Sequence, residues 1–351
     1  MKRNKQNPDF LHIGGKLLNW YQSNARDLPW RKTKQPYNIW ICEIVLQQTQ
    51  VKQGLNHYIN FIERFPDAET LANAETDEVL LYWKGLGYYS RALNLHKAAK
   101  QIQEDFGGDF PTDYNDILKL KGVGKYTAAA ISSICFDEKI PAVDGNFYRV
   151  LSRLFADDFD ISQSSAFSYF TELALQMMPE HSACDFNQAM MDLGSEICKP
   201  KNPDCGNCPL NEDCLAFASG TVQKYPVKLK KTKATDLSLH YFFVHYKDQF
   251  LIRQRHDDFI WKKLYEFPTE IPKNFRDNIS KSIILKHKLT HKNLEIQINT
   301  VSLSSAEELI SLANKNQFNI IDFSESNNKS FPKPLEKFLD NWIQEPLELN
   351  D

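Results

Sequence analysis

Cys198, Cys205, Cys208 and Cys214 fall within 17 residues at the spacing C-x6-C-x2-C-x5-C, whereas Cys42, Cys135 and Cys184 are scattered singly in apolar surroundings. Four thiolates gathered this tightly can satisfy one metal centre without help from the rest of the chain. The segment therefore reads as a ligand loop, not as a core helix or strand. Cysteine-only ligation suits an iron–sulfur cluster. Zinc sites usually pair two C-x2-C knuckles and this loop has one, which leaves structural zinc as the alternative. Lys199 and Lys201 lie inside the loop, either against a phosphate or as a solvated basic turn.

At 351 residues the chain is long for one core, and two domains are expected. Residues 1–225 read as helical, 226–235 as a lysine-rich linker, and 236–351 as mixed α and β. The net charge is −3, with −5 over 1–225 and +2 over 226–351. A nucleic-acid partner would thus be met by local patches and aimed backbone N–H groups, not by a global field. No apolar run approaches the roughly 20 residues that span a bilayer. The basic start, MKRNKQNPDF, leads into His12, Gly14, Gly15 and Lys16, so no signal peptide is expected. This points to a reducing, cytoplasmic setting, in which structural disulfides are not expected.

Periodicity places helices at Ile39–Gln48, Thr76–Trp83, Arg91–Phe106, Asp113–Leu120, Tyr126–Cys135 and Phe147–Phe155, and Leu11, Leu17, Leu18 and Tyr21 recur at helical spacing. After the linker, Leu239–Tyr246 and Phe250–Arg253 form an expected hairpin around Lys247-Asp248. Leu294–Val301 alternates as a half-buried strand, and two further helices are expected at Ala306–Asn314 and Pro334–Ile343.

Three segments in the helical part carry chemistry. Leu120-Lys121-Gly122-Val123-Gly124-Lys125-Tyr126-Thr127-Ala128 sets two glycines before a helix, where the backbone can approach a phosphate and first-turn N–H groups can hold it. Pro141-Ala142-Val143-Asp144-Gly145-Asn146 places a carboxylate at an element edge beside apolar packing, suited to capping the next helix. Glu43 sits inside the apolar run Ile39-Trp40-Ile41-Cys42-Glu43-Ile44-Val45-Leu46. Burial raises a carboxyl pKa and keeps its proton near neutral pH, ready to act as an acid; a paired core carboxylate is the plainer reading.

Together the cysteine loop, the GxG turn and the Val-Asp-Gly segment resemble the helix-hairpin-helix DNA glycosylases that carry a 4Fe–4S cluster. Glu43 with Gln47-Gln48-Thr49-Gln50, Leu28-Pro29-Trp30, Gly85–Ala92 and Phe186–Gly194 make the chain similar to the MutY family. The resemblance implies an all-α helix-hairpin-helix glycosylase domain with a 4Fe–4S loop, then an α/β Nudix-like domain. It implies that adenine opposite 8-oxoguanine or guanine in duplex DNA is flipped and excised by a monomer. By the same likeness Glu43 protonates adenine nitrogen 7, Asp144 stabilises the sugar cation, and Tyr126 and Asn146 shape the site. Trp30 and Arg31 would line the adenine pocket. Gln48 and Tyr88 would wedge into the duplex with Thr49 and Leu86 nearby, and Gly122, Gly124 and Lys125 would hold the backbone. Cys198, Cys205, Cys208 and Cys214 would bind the cluster. Bifunctional relatives carry a Schiff-base lysine where Tyr126 stands, so little lyase activity is expected. An endonuclease III-like glycosylase/lyase for oxidised pyrimidines is the alternative, as is a non-enzymatic iron–sulfur DNA-binding protein.

Leu251–Arg255 and Trp261–Pro268 resemble the start of a Nudix domain. The chain then continues Thr269-Glu270-Ile271-Pro272 without the glutamate-rich helix that holds Mg²⁺, so pyrophosphohydrolase activity is not expected. In MutY proteins a Phe-Ser-His loop of this domain senses 8-oxoguanine. Leu289-Thr290-His291 matches it here, with Leu in place of Phe.

Overall fold

The computed structural model describes residues 9–230, 234–256 and 260–344. Helices α1 (Phe10–Asn24), α2 (Pro36–Leu46), α3 (Val51–Arg64), α4 (Ala68–Asn73), α5 (Thr76–Tyr82) and α6 (Ser90–Phe106) open the chain. They are followed by α7 (Tyr114–Lys119), α8 (Lys125–Phe136), α9 (Gly145–Leu154), α10 (Ala166–Met177), α11 (Ala183–Asp192) and the short α12 (Leu215–Ala218). Local sequence explains several starts. The Asp9 side chain accepts from His12 N at the head of α1, and Asp113 caps α7. Pro36 supplies the fixed φ of the first turn of α2, which extends that helix three residues ahead of its apolar run.

One core lies among α1, α9, α10 and α11, built from Leu17, Phe147, Leu151, Phe170, Met177 and Phe186. Helix α1 approaches α10 so closely that a Cβ on Gly14 would stand 1.9 Å from Met177 O. Helix α8 is nearly sheathed, with Thr127 through Ile134 buried.

The C-terminal part holds β1 (Thr235–Tyr246), β2 (Gln249–Gln254), β3 (Tyr265–Glu266), α13 (Lys273–Arg276), β4 (Ile279–Lys288), β5 (Lys292–Ser302), α14 (Ala306–Asn316), β6 (Asn319–Asp322) and α15 (Lys333–Gln344). The strand order is β3-β2-β1-β5-β4, with β6 pairing β2, and β1 runs parallel to β5. The β1–β2 turn pairs His245 with Phe250, as the hairpin reading expects. Tyr241 and Phe243 enter one core with α15, and Phe242 and Val244 enter the opposite one with α14. Helices on both faces account for an unbroken apolar run in β1 where a half-exposed strand would alternate.

The compact units divide the chain differently from a contiguous 1–225, 226–235, 236–351 partition. Residues 74–96 belong with the C-terminal unit, and the other unit is 1–73 with 97–231. Asp77 accepts from Gln254 Nε2 at 2.9 Å and from Tyr265 Oη at 2.5 Å, and Lys84 pairs with Glu336 at 3.1 Å. The expected linker is also partly strapped down. Leu229 N donates to Asp160 Oδ1 at 3.1 Å and Ile161 N to Val227 O at 3.0 Å. Residues 231–233 of that linker lie outside the described residues. Among the described residues, no helix is long and apolar enough to cross a membrane.

Candidate active site

A cavity of about 240 Å³ opens in the first unit, lined among others by Trp30, Arg31, Glu43, Gln48, Tyr126, Asp144 and Gln188. Six residues singled out in the sequence for catalysis, the base pocket or the wedge thus meet on one wall. Helix α2 carries Glu43 in, and the residue is 9% exposed. Burial pushes its carboxyl up to about 7, against a hydrogen bond donated by Tyr126 Oη to Oε2 at 2.7 Å; the nearby Asp144 raises it further and Arg31 draws it down. Glu43 therefore titrates near neutral pH while facing a cavity.

Asp144 caps α9, accepting from Asn146 N at 2.8 Å and Phe147 N at 2.9 Å. Its other oxygen accepts from Asn146 Nδ2 at 2.7 Å. Burial raises its pKa, and these hydrogen bonds together with the Arg149 charge pull it back. The capping and pocket readings of Asp144 hold together: one oxygen serves the helix while the residue lines the cavity.

Asn146 is held in turn. Arg149 Nη2 donates to Asn146 Oδ1 and to Gly194 O, both at 2.7 Å, and its Nε donates to Cys198 O at 2.7 Å. Gly194 lies in a π-helical turn (Leu193–Ile197) leading into the cysteine loop, where an added Cβ would meet Asn146 Cβ at 2.6 Å. The loop and the Asp144 cap are therefore mechanically joined.

The four cysteines line one small cavity with Ile197, Pro203, Phe217 and Val222. Burial pushes the Cys208 thiol up to about 12, and it raises Cys205 and Cys214 as well. Four cysteines and no histidine at one small cavity suit an iron–sulfur cluster, which Cys198, Cys205, Cys208 and Cys214 would hold. Arg153, 2% exposed, frames the cavity by donating to Lys199 O at 2.7 Å and to Pro200 O at 3.1 Å. Lys199 and Lys201 are exposed.

The GxG turn joins α7 to α8 as a helical hairpin. Gly122 takes φ +81°, where a side chain is strained, and Gly124 is the N-cap of α8. Lys125 is exposed, its ammonium 5.4 Å from the Phe167 ring centroid. Gln48 lies just beyond α2 with φ +56°, and Thr49 N donates to Leu46 O at 3.2 Å.

In the second unit, Tyr88 also has a positive φ, +47°, and is 48% exposed. Its hydroxyl meets Thr290 Oγ1 at 2.6 Å, in the hairpin between β4 and β5. Leu289 packs against the α15-side core, Leu86 is buried, and His291 O accepts from Thr235 N at 3.1 Å.

Sequence reasoning missed the support of the pocket. Asp192, fully buried, receives both Arg26 and Arg31, and Tyr21 Oη donates to Gln188 Oε1 at 2.6 Å. The available signal was the spacing of Gln188 and Asp192, one turn apart on α11, which sets two polar side chains on one face.

Three family models match the chain. HhH-GPD superfamily base excision DNA repair protein covers residues 41–174, the iron–sulfur binding domain of endonuclease III covers 198–214, and NUDIX domain covers 240–341. A thermostable thymine-DNA glycosylase structure overlays with TM-score 0.57 at 31% identity, covering 62% of this chain and all of that one. An endonuclease III–DNA complex, at TM-score 0.53 and 20% identity over 60% of this chain and 95% of that one, shares the fold. Adenine DNA glycosylase of Homo sapiens is 40% identical over 58% of this chain and 39% of that protein. Adenine DNA glycosylase of Buchnera aphidicola subsp. Schizaphis graminum is 36% identical over 92% of this chain and 96% of its own length. A likeness that runs through both units and the cysteine loop shows that the chain belongs to the adenine DNA glycosylase family.

Proposed function

We propose that the chain hydrolyses the N-glycosidic bond of adenine mispaired with 8-oxoguanine or guanine in duplex DNA, without lyase chemistry. One observation carries this reading: Glu43, which titrates near neutral pH, Tyr126 and Asp144 line the same cavity; by the family likeness, Tyr126 holds the position of the lyase lysine. A duplex hides adenine from any such cavity, so the base must be flipped out, at a cost of a few kcal/mol. The positive φ values at Gln48 and Tyr88 support wedge roles, because strained backbone persists where function holds it.

Glu43 gives its proton to ring nitrogen 7 of adenine. The bond from nitrogen 9 to the sugar then breaks, its electron pair leaves with the neutral base, and positive charge develops on the sugar. Asp144, held ionised by Asn146 and Phe147, stabilises that cation. Glu43, now a carboxylate, takes a proton from water as it adds to the sugar. Cys198, Cys205, Cys208 and Cys214 would hold the 4Fe–4S cluster, which supplies a structural tie for the loop. Action as a monomer is part of this proposal.

The Thr290 hydroxyl, bonded to Tyr88, and the adjacent His291 offer polar groups for reading the base opposite adenine. Incubation with a duplex bearing a pyrimidine glycol, followed by borohydride reduction, separates this reading from the lyase alternative. No trapped covalent complex is expected, and efficient trapping contradicts the proposal.

A further inference from the structure

Asp192 has no place in the chemistry above, yet it is 0% exposed and bears two guanidinium groups. Arg31 binds it in bidentate fashion, Nη1 to Oδ2 at 2.5 Å and Nη2 to Oδ1 at 2.6 Å. Arg26 adds Nε to Oδ1 at 2.6 Å, Nη2 to Oδ1 at 2.5 Å and its backbone N to Oδ2 at 3.3 Å. Burying a carboxylate is costly unless it is paired, and two charge-assisted pairs offset that cost.

The arrangement matters because of where Arg31 stands. It lines the same cavity as Glu43 and Asp144, and its charge already favours the ionised form of Glu43. Released from Asp192, Arg31 would still line the cavity that holds the Glu43 and Asp144 carboxylates. A Glu43–Arg31 pair would ionise Glu43 and remove the proton needed by the leaving base. We propose that Asp192 is a positioning residue that sequesters Arg31 at the cavity wall and so keeps Glu43 protonated and free to face adenine. The other groups facing Glu43 are Tyr126 from α8 and Asp144 at the head of α9, with Cys42 beside it on α2 and Cys135 within electrostatic range at the end of α8.

This inference rests on Glu43 being the acid, so Glu43→Gln is run alongside: full activity in that variant overturns the underlying reading itself. The test measures single-turnover adenine release at saturating enzyme, from pH 5 to 9, on duplexes with adenine opposite 8-oxoguanine and opposite guanine. Under these conditions the falling limb reports the acid in the bound complex. Wild type, Asp192→Asn, Arg31→Met and the double variant are compared. Asp192→Asn is expected to move the falling limb down by one pH unit or more, and the double variant to return it to the Arg31→Met position. A slower Asp192→Asn enzyme with an unmoved limb makes Asp192 merely structural and overturns the proposal. Should Asp192→Asn fail to fold, Arg31→Met decides alone. With Arg31 already drawn off by Asp192, its removal is expected to move the limb by less than half a pH unit, and an upward move of more than one contradicts the proposal.

Discussion

Glu43 shows how a residue can be chosen against stability. Its carboxyl is raised from 4.5 to about 7, so ionising it in the folded protein costs about 3 kcal/mol. A raised pKa leaves stability intact below the unfolded value of 4.5 and erodes it as pH climbs towards 7. Glu43→Gln keeps an oxygen for the Tyr126 hydroxyl and removes the ionisation. Denaturant titrations are expected to show little difference between variant and wild type near pH 4.5, and a variant more stable by up to about 3 kcal/mol at pH 8. A gap that does not widen with pH contradicts the buried-acid account. Glu43 was legible because a charge interrupts an apolar run, and Asp144 because capping residues have a type. The Asp192 pairs were not, since Arg26 and Arg31 lie 166 and 161 positions away and leave no local pattern.

At the scale of elements, glycines mark where helices must touch. A side chain on Gly194 collides with Asn146, the residue that steadies Asp144, while one on Gly14 collides with the carbonyl of Met177, and neither Gly14 nor Met177 lines the cavity. Overpacking of this kind typically costs about 1–3 kcal/mol. Both Gly194→Ala and Gly14→Ala are expected to lower the melting temperature. At a temperature where each is folded, Gly194→Ala should slow single-turnover release about tenfold or more and Gly14→Ala should not; equal rates sever the proposed link from the loop to Asp144. Most helices were readable from the recurrence of apolar residues, to within a few positions. Strand β4 was not, because apolar Ile284 shares its outward face with Lys286 and Lys288, so Ile283-Ile284-Leu285 shows no period of two. Strand β6 has only four residues, too few for a period to register.

At the scale of the whole molecule, a net charge of −3 leaves DNA contact to local features, and the GxG turn, the exposed Lys199 and Lys201 and the polar hairpin at Thr290 are the ones proposed for it. The division into units was the least legible feature. Residues 74–96 join the C-terminal unit through Asp77, Lys84 and Tyr88, long-range polar contacts that no window of sequence can reveal. The same hairpin gives a test at this scale. Replacing Thr290 and His291 together by alanine is expected to cut the preference for 8-oxoguanine over guanine about tenfold while leaving release opposite guanine near wild type. An unchanged ratio reassigns the loop.

The proposed excision of adenine through Glu43 is tested by single-turnover adenine release from duplexes pairing adenine with 8-oxoguanine, guanine, cytosine or thymine, for wild type and Glu43→Gln. Fast release opposite 8-oxoguanine, slower release opposite guanine, little opposite cytosine or thymine, and near-complete loss in the variant are predicted. Release that ignores the opposite base, or that survives Glu43→Gln, contradicts the account.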